Sequence, residues 1–155
     1  MLYEALDHAT LGARARARLD AHVAIASALW GLVRPGDLIP SYRLSGGTSL
    51  PGIGPLAHAW REPVGRELAA IDGLVIDLRS SAYVALGPLT GEVAERAVTV
   101  RVLTERNGRR SVVSHSNKAT KGRITRALVQ SRRTPRTASG WSSRMGGQVA
   151  RTCST

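Results

Sequence analysis

A mixed α/β or α+β fold, in which a sheet carrying an antiparallel hairpin packs against helices, follows from three features of the sequence. Residues 74–78 (LVIDL) form a short apolar run bounded by Gly73 and the Ser80-Ser81 pair, the length of a buried strand. Leu56, Trp60, Val64, Leu68 and Ile71 recur at spacings of four, four, four and three, which lines them along one helical stripe. Asn107-Gly108 separates two alternating runs, and a type I′ turn, which needs positive φ at both central residues, favours that dipeptide. Strands interleaved with helices, plus a hairpin, define the class.

Along the chain, residues 22–32 (HVAIASALWGL) are apolar at almost every position. Such a run fits a doubly buried strand or a buried helical turn, and we read it as a strand. It closes at Arg34-Pro35-Gly36-Asp37, where Pro35 disfavours helical backbone at Arg34 and Gly36 permits a turn. Residues 45–55 (SGGTSLPGIGP), with four glycines and two prolines, read as a long surface loop. Pro63 removes a backbone donor from a helix interior, so the stripe predicts a helix whose regular part starts near Glu62, with Pro63 in the first turn, and stops at Gly73.

Residues 97–104 and 110–115 are the hairpin strands, with Val98, Val100 and Val102 on one face and Thr99, Arg101 and Leu103 on the other. Ser116 is placed to cap a helix running through Val129, in which Ile124 and Leu128 form an apolar pair and Lys118, Lys121, Arg123 and Arg126 take the remaining surface.

Length and charge bound the organisation. A chain of 155 residues holds one ordinary domain, expected over 1–129, plus a tail, 130–155. The tail has five arginines, no acid and only isolated apolar residues, the pattern of a disordered basic arm or of an out-of-frame translation. The formal charge is +11, yet residues 1–104 hold ten cations and ten acids. Residues 105–155 hold twelve cations against Glu105 alone, a polarity that suits a phosphate-rich partner or, more plainly, a solvated tail.

Several chemistries find no support. Cys153 has no companion, and His8, His22, His58 and His115 show no i,i+3 or i,i+4 pairing, so neither a disulfide framework nor a metal site is expected. No cofactor is expected: the glycines of 46–54 match neither a dinucleotide fingerprint nor a Walker loop. Contiguous Ser114-His115-Ser116 is no catalytic set, since neighbours on a strand point to opposite faces. Acidic Glu4 and Asp7 near the start, and the lack of a long apolar run, point to a cytoplasmic chain with no membrane partner.

Four ordered stretches carry a resemblance: SALWGLVRPGDLIPSYRL at 27–44, Trp60, VIDLRSSAY at 75–83 and SHSNKATKGRITR at 114–126. With these the chain resembles the YaaA peroxide-stress family from Leu2 to Val129. Family members are nearly twice as long, and the resemblance implies a partial copy of the YaaA fold, its central and C-terminal portion, truncated at the N-terminal side. It also implies an intracellular protein of the hydroperoxide response that limits iron-driven oxidative damage and binds DNA through a positively charged cleft. No established reaction comes with it.

The polar positions that match are Arg34, Asp37, Tyr42, Arg43, Asp77, Ser80, Tyr83, Lys118, Lys121 and Arg126. Of these, Arg34, Asp37, Tyr42, Arg43, Asp77, Ser80 and Tyr83 are the candidates for lining a cleft, because they follow buried strands on loops. Pairing of Arg34 with Asp37 and capping by Ser80 are the structural alternatives.

Backbone contacts to DNA fall to Lys118, Lys121, Arg123 and Arg126, extended by Arg109 and Arg110 at the hairpin tip. Four or five such contacts predict a log K against log salt slope of roughly −3.6 to −4.5 on duplex DNA. The competing expectations are an enzyme fold acting on an anionic small molecule, and a truncated chain without function whose open sheet edges aggregate.

Overall fold

The computed structural model describes residues 1–106, 109–112, 117–132 and 149–150, with side chains placed for 1–101 and 117–132. The fold is mixed α/β. Its helices are α1 (Leu2–Leu6), α2 (Ala13–His22), α3 (Leu56–Ala69), α4 (Ser81–Val84), α5 (Glu92–Glu95) and α6 (Asn117–Gln130). The strands are β1 (Ile25–Ser27), β2 (Gly31–Val33), β3 (Ser49–Leu50), β4 (Gly54–Pro55), β5 (Val75–Asp77), β6 (Ala97–Thr99), β7 (Arg101–Arg106), β8 (Arg109–Val112) and β9 (Val149–Ala150).

The apolar run at 22–32 is not one strand. Its first residue ends α2, and the rest folds into an antiparallel hairpin, β1 against β2, with Ser27 opposite Gly31. The turn is held by Ser27 Oγ, which accepts the N–H groups of Leu29 and Trp30 at 3.3 and 3.0 Å. Gly31 begins β2 at φ +73°, and a Cβ there would stand 2.8 Å from the Trp60 ring. Only glycine both adopts that backbone and leaves that room. The indole in turn donates from Nε1 to Ala28 O at 2.9 Å, tying the hairpin to α3. In the segment expected to be a loop, β3 and β4 form a second, two-residue hairpin.

α3 starts at Leu56, six residues before the expected boundary, and carries Pro63 inside it. The missing proline donor frees the carbonyl of Ala59, four residues back, which belongs to an exposed residue where water substitutes. Burial of Leu56, Val64 and Leu68 outweighs that loss. The helix stops at Ala69, and Gly73, at φ +77°, turns the chain into β5.

β5 pairs with β6 in parallel, Ile76 opposite Val98, with α4 and α5 in the crossover between them. The expected hairpin is present as β7 against β8, with Arg106 opposite Arg109 and Thr104 opposite Ser111. Residues 107–108, and with them the turn type, lie outside the described residues, as does Ser116 with its expected capping role. Val98 and Val100 are buried while Arg101 is exposed, in keeping with the expected alternation. From the tail, β9 returns to pair antiparallel with β7, Val149 opposite Val102. A tail with no core pattern thus still supplies a strand, because ladder bonds use backbone groups and β7 offers a second edge. The question of a disordered or out-of-frame tail falls on residues 133–148 and 151–155, outside the described residues.

α6 joins two apolar clusters. Ile124 packs with Val98 and Val100, with Leu74, Ile76, Leu78 and Leu128 around them. One residue past Leu128, on the next face, Val129 packs with Leu6, Leu11, Ala15 and Leu19 of the α1–α2 end. α1 lies so close to α6 that a Cβ on Gly122 would meet Leu2 O at 2.3 Å. A third cluster, Ala28, Leu56 and Leu86, carries Leu44, Trp60 and Tyr83 against it and forms the floor under the site described next.

Candidate functional site

An open cleft of about 560 Å³ is lined by Tyr42, Arg43, Leu44, Ser45, Ser80, Ala82, Tyr83 and Lys118. Three separate parts of the chain build it: the segment after β2, the start of α4 and the first turn of α6. Tyr42 is fixed by a 2.5 Å hydrogen bond between its hydroxyl and that of Ser27, itself buried at the end of β1. Ser80 occupies the N-cap position of α4, where its hydroxyl makes no capping bond, and is one of the residues lining the cleft. Arg43 and Lys118 are exposed, and no carboxylate is among the lining residues. Among the described residues, the cleft thus presents two cations and two phenols with no carboxylate lining it.

Tyr3 joins this neighbourhood from α1. Its phenol is pushed above the ordinary value of 10.0 by burial first, then by the charges of Tyr42 and Tyr83 once these ionise. Tyr3 is thus near enough to Tyr42 and Tyr83 to feel their charge, without itself lining the cleft. Sequence reasoning did not pick out Tyr3, Ser27 or Ser45, and no spacing rule links residues so far apart in the chain.

The seven residues expected to share a cleft divide into three groups. Tyr42, Arg43, Ser80 and Tyr83 come together. Arg34 and Asp37 stand apart, closing their own turn: Asp37 Oδ2 accepts the Arg34 N–H at 2.7 Å, and Arg34 O accepts the Asp37 N–H at 3.1 Å. Asp77 does not line the cleft, because its carboxylate is buried and grips Arg79. Arg79 Nε meets Oδ1 at 2.9 Å and Nη2 meets Oδ2 at 2.8 Å, while the Arg79 N–H also donates to Oδ1 at 2.9 Å. Arg79 then donates from Nη1 to Gly87 O at 2.7 Å. An Asp-x-Arg spacing at a strand end was the available signal for this fork.

The cations of α6 do not share one surface. Lys121 is buried, contrary to the solvent-facing position expected of it, and donates from Nζ to Arg79 O at 3.3 Å. Burial lowers its pKa below the ordinary 10.5, and the carboxylate of Asp77 works against that shift. Lys118 and Lys121, three residues apart, are neighbours on α6, and Lys121 turns inward where Arg79 O accepts from its Nζ. Arg126 is engaged with the C-terminal end of α1, where it donates to Leu6 O at 2.8 Å, Asp7 O at 2.7 Å and Thr10 Oγ1 at 2.8 Å. A cation there complements the unpaired carbonyls of a helix end. Lys118 and Arg123 remain exposed. Arg109 and Arg110 lie on β8, in register with Arg106 and Glu105.

Among the described residues, no group of three or more His, Cys, Asp or Glu side chains comes together, and no helix is long and apolar enough to cross a membrane. Fold and cleft together define an α/β protein with an open cleft lined by two cations and two tyrosines.

The chain belongs to the family described as "Peroxide stress protein YaaA", whose model matches residues 1–139. A UPF0246 protein of Streptomyces coelicolor is 54% identical over 131 residues, covering 83% of this chain and 50% of that protein. UPF0246 proteins of Corynebacterium efficiens and Corynebacterium glutamicum are 48% and 46% identical over 143 residues, each covering 89% of this chain and 55% of the relative. The chain spans about half the length of the curated relatives it matches.

Proposed function

We propose that this chain is a cytoplasmic, DNA-associated protein of the peroxide-stress response that holds the sugar-phosphate backbone and so limits iron-driven damage to it. The observation that carries the reading is the convergence of Arg43 and Lys118, from distant parts of the chain, on a cleft with no lining carboxylate. Phosphates supply the matching charge, and the faces of Tyr42 and Tyr83 suit a sugar or base beside them. The contact surface is centred on this cleft and not on α6 as a whole, since Lys121 and Arg126 are already used inside the fold.

With Arg43, Lys118 and Arg123 as the exposed contacts, the slope of log K against log salt on duplex DNA is expected to be roughly −2.7. Fluorescence anisotropy of a labelled duplex between 50 and 200 mM salt, about the range over which such contacts weaken strongly, measures it. A slope near zero removes the proposal.

A second reading is favoured by the shape of the site: a concavity of about 560 Å³ is the size of a small-molecule pocket. On that reading the ligand is a small anion, and inorganic phosphate or a mononucleotide competes with duplex DNA at the same residues. Calorimetric titration with those two compounds separates the readings.

A further inference from the structure

The hydroxyl of Ser27 serves two parts of the molecule at once. It lies buried at the end of β1, 2.5 Å from the hydroxyl of Tyr42, and by distance alone either oxygen could be the donor. The turn of the β1–β2 hairpin removes that ambiguity. A serine hydroxyl has one proton to donate and two lone pairs with which to accept. Ser27 Oγ accepts the N–H groups of Leu29 and Trp30, at 3.3 and 3.0 Å, so both lone pairs are committed to the turn. What remains for the contact with Tyr42 is the serine proton, and the phenolic oxygen is its acceptor.

Tyr42 then keeps its own proton. Among the described residues its hydroxyl makes no second hydrogen bond, and the residue lines the cleft with Arg43 and Lys118. Those two cations attract a phosphate from any direction, whereas a phenolic O–H acts along one line. We infer that Ser27 is a positioning residue of the cleft: by donating to Tyr42 it fixes the phenol as a hydrogen-bond donor toward a phosphate oxygen received with Arg43 and Lys118. The inference rests on the reading of the cleft as a phosphate site and adds to it the group that sets direction. A phenol whose acceptor role is filled selects ligands that present an acceptor oxygen over ligands that present a donor. That oxygen belongs to a duplex backbone or to a free phosphate, and the test has an arm for each.

Fluorescence anisotropy of a labelled duplex and calorimetric titration with inorganic phosphate read the affinity of the full chain for each source. Tyr42→Phe keeps the ring and removes the donor. It is expected to weaken binding of whichever probe the wild type takes by about tenfold. Having removed no charge, it should leave the salt slope on duplex DNA unchanged. Ser27→Ala is expected to give a similar loss at the same slope, and no further loss when combined with Tyr42→Phe. A serine that acted only by holding the turn would weaken binding equally in both backgrounds. Ser27→Cys fills the same space with a weak donor and is the second variant at this position, with the same loss expected if Ser27→Ala unfolds. The inference alone is overturned if Tyr42→Phe binds as the wild type while Arg43→Ala does not, or if the loss from the position 27 variants persists undiminished beside Tyr42→Phe. If the wild type binds neither probe, the phosphate reading fails and the inference falls with it.

Discussion

Lys118 and Lys121 sit one turn apart on α6 and meet opposite conditions. Lys121 is buried over the backbone of Arg79, beside a carboxylate that Arg79 already grips, while Lys118 stands exposed on a cleft with no lining acid. The inner group is held by hydrogen bonds within the fold: Asp77 satisfies Arg79, and Arg79 supplies the carbonyl that accepts from Lys121. Among the described residues, no carboxylate lines the cleft of the outer group. Total charge treats both lysines alike, whereas the depth of each side chain decides which is structural and which is free to meet a ligand.

The largest expected effect breaks the inner group. Asp77→Ala leaves the Arg79 guanidinium, 12% exposed, without its partner, and a loss of about 3–5 kcal/mol in urea unfolding is expected. A loss within experimental error would mean that water reaches Arg79 and that the two groups are not different in kind. Next comes Gly122→Ala, which forces α1 away from α6, because the new Cβ would meet Leu2 O at 2.3 Å. Overpacking there is expected to cost about 1–3 kcal/mol in thermal unfolding.

Substitutions in the outer group are expected to leave stability alone and change binding. Arg43→Ala and Lys118→Ala should each reduce the salt slope of DNA binding by about 0.9. Lys121→Met should leave that slope unchanged, and a drop equal to that of Lys118→Ala would erase the distinction. The smallest effect concerns pH. The folded pKa of Lys121 lies below the unfolded 10.5, so between those values the unfolded chain binds more protons and stability rises with pH. The penalty of burying the charge is present in full below the folded pKa and gone above 10.5. Lys121→Met is expected to lack that rise, measured as the difference between the two melting-temperature profiles from neutral pH upward, which cancels the tyrosines common to both.

What could be read from the sequence follows the range of the forces involved. The stripe Leu56-Trp60-Val64-Leu68, the strand at 75–77 and the pairing across Asn107-Gly108 are local patterns, and each appears as an element. α3 starts ahead of the boundary that Pro63 predicts because burial of Leu56 overrides the local cost of the proline. The splitting of 22–32 depends on Ser27 Oγ and on the ring of Trp60, contacts to the turn and to α3 that periodicity does not encode. At the site, loop position brought Tyr42, Arg43, Ser80 and Tyr83 forward, but it also brought Asp77, whose burial follows from Arg79 and Gly87. Helical spacing placed Ile124 and Leu128 correctly and left open which lysine turned inward, since that depends on an acceptor at Arg79, 42 residues away.

Gly31 carries a consequence for how this sequence can vary. Left-handed backbone and the indole resting above its Cα impose two independent demands on one position. In a saturation library screened for soluble protein, position 31 should therefore return glycine almost alone. Alanine should be recovered there only with a smaller residue at 60, and even then the backbone demand would keep such pairs rare. The site would read as a fingerprint of hairpin-to-helix docking, independent of whatever the cleft binds.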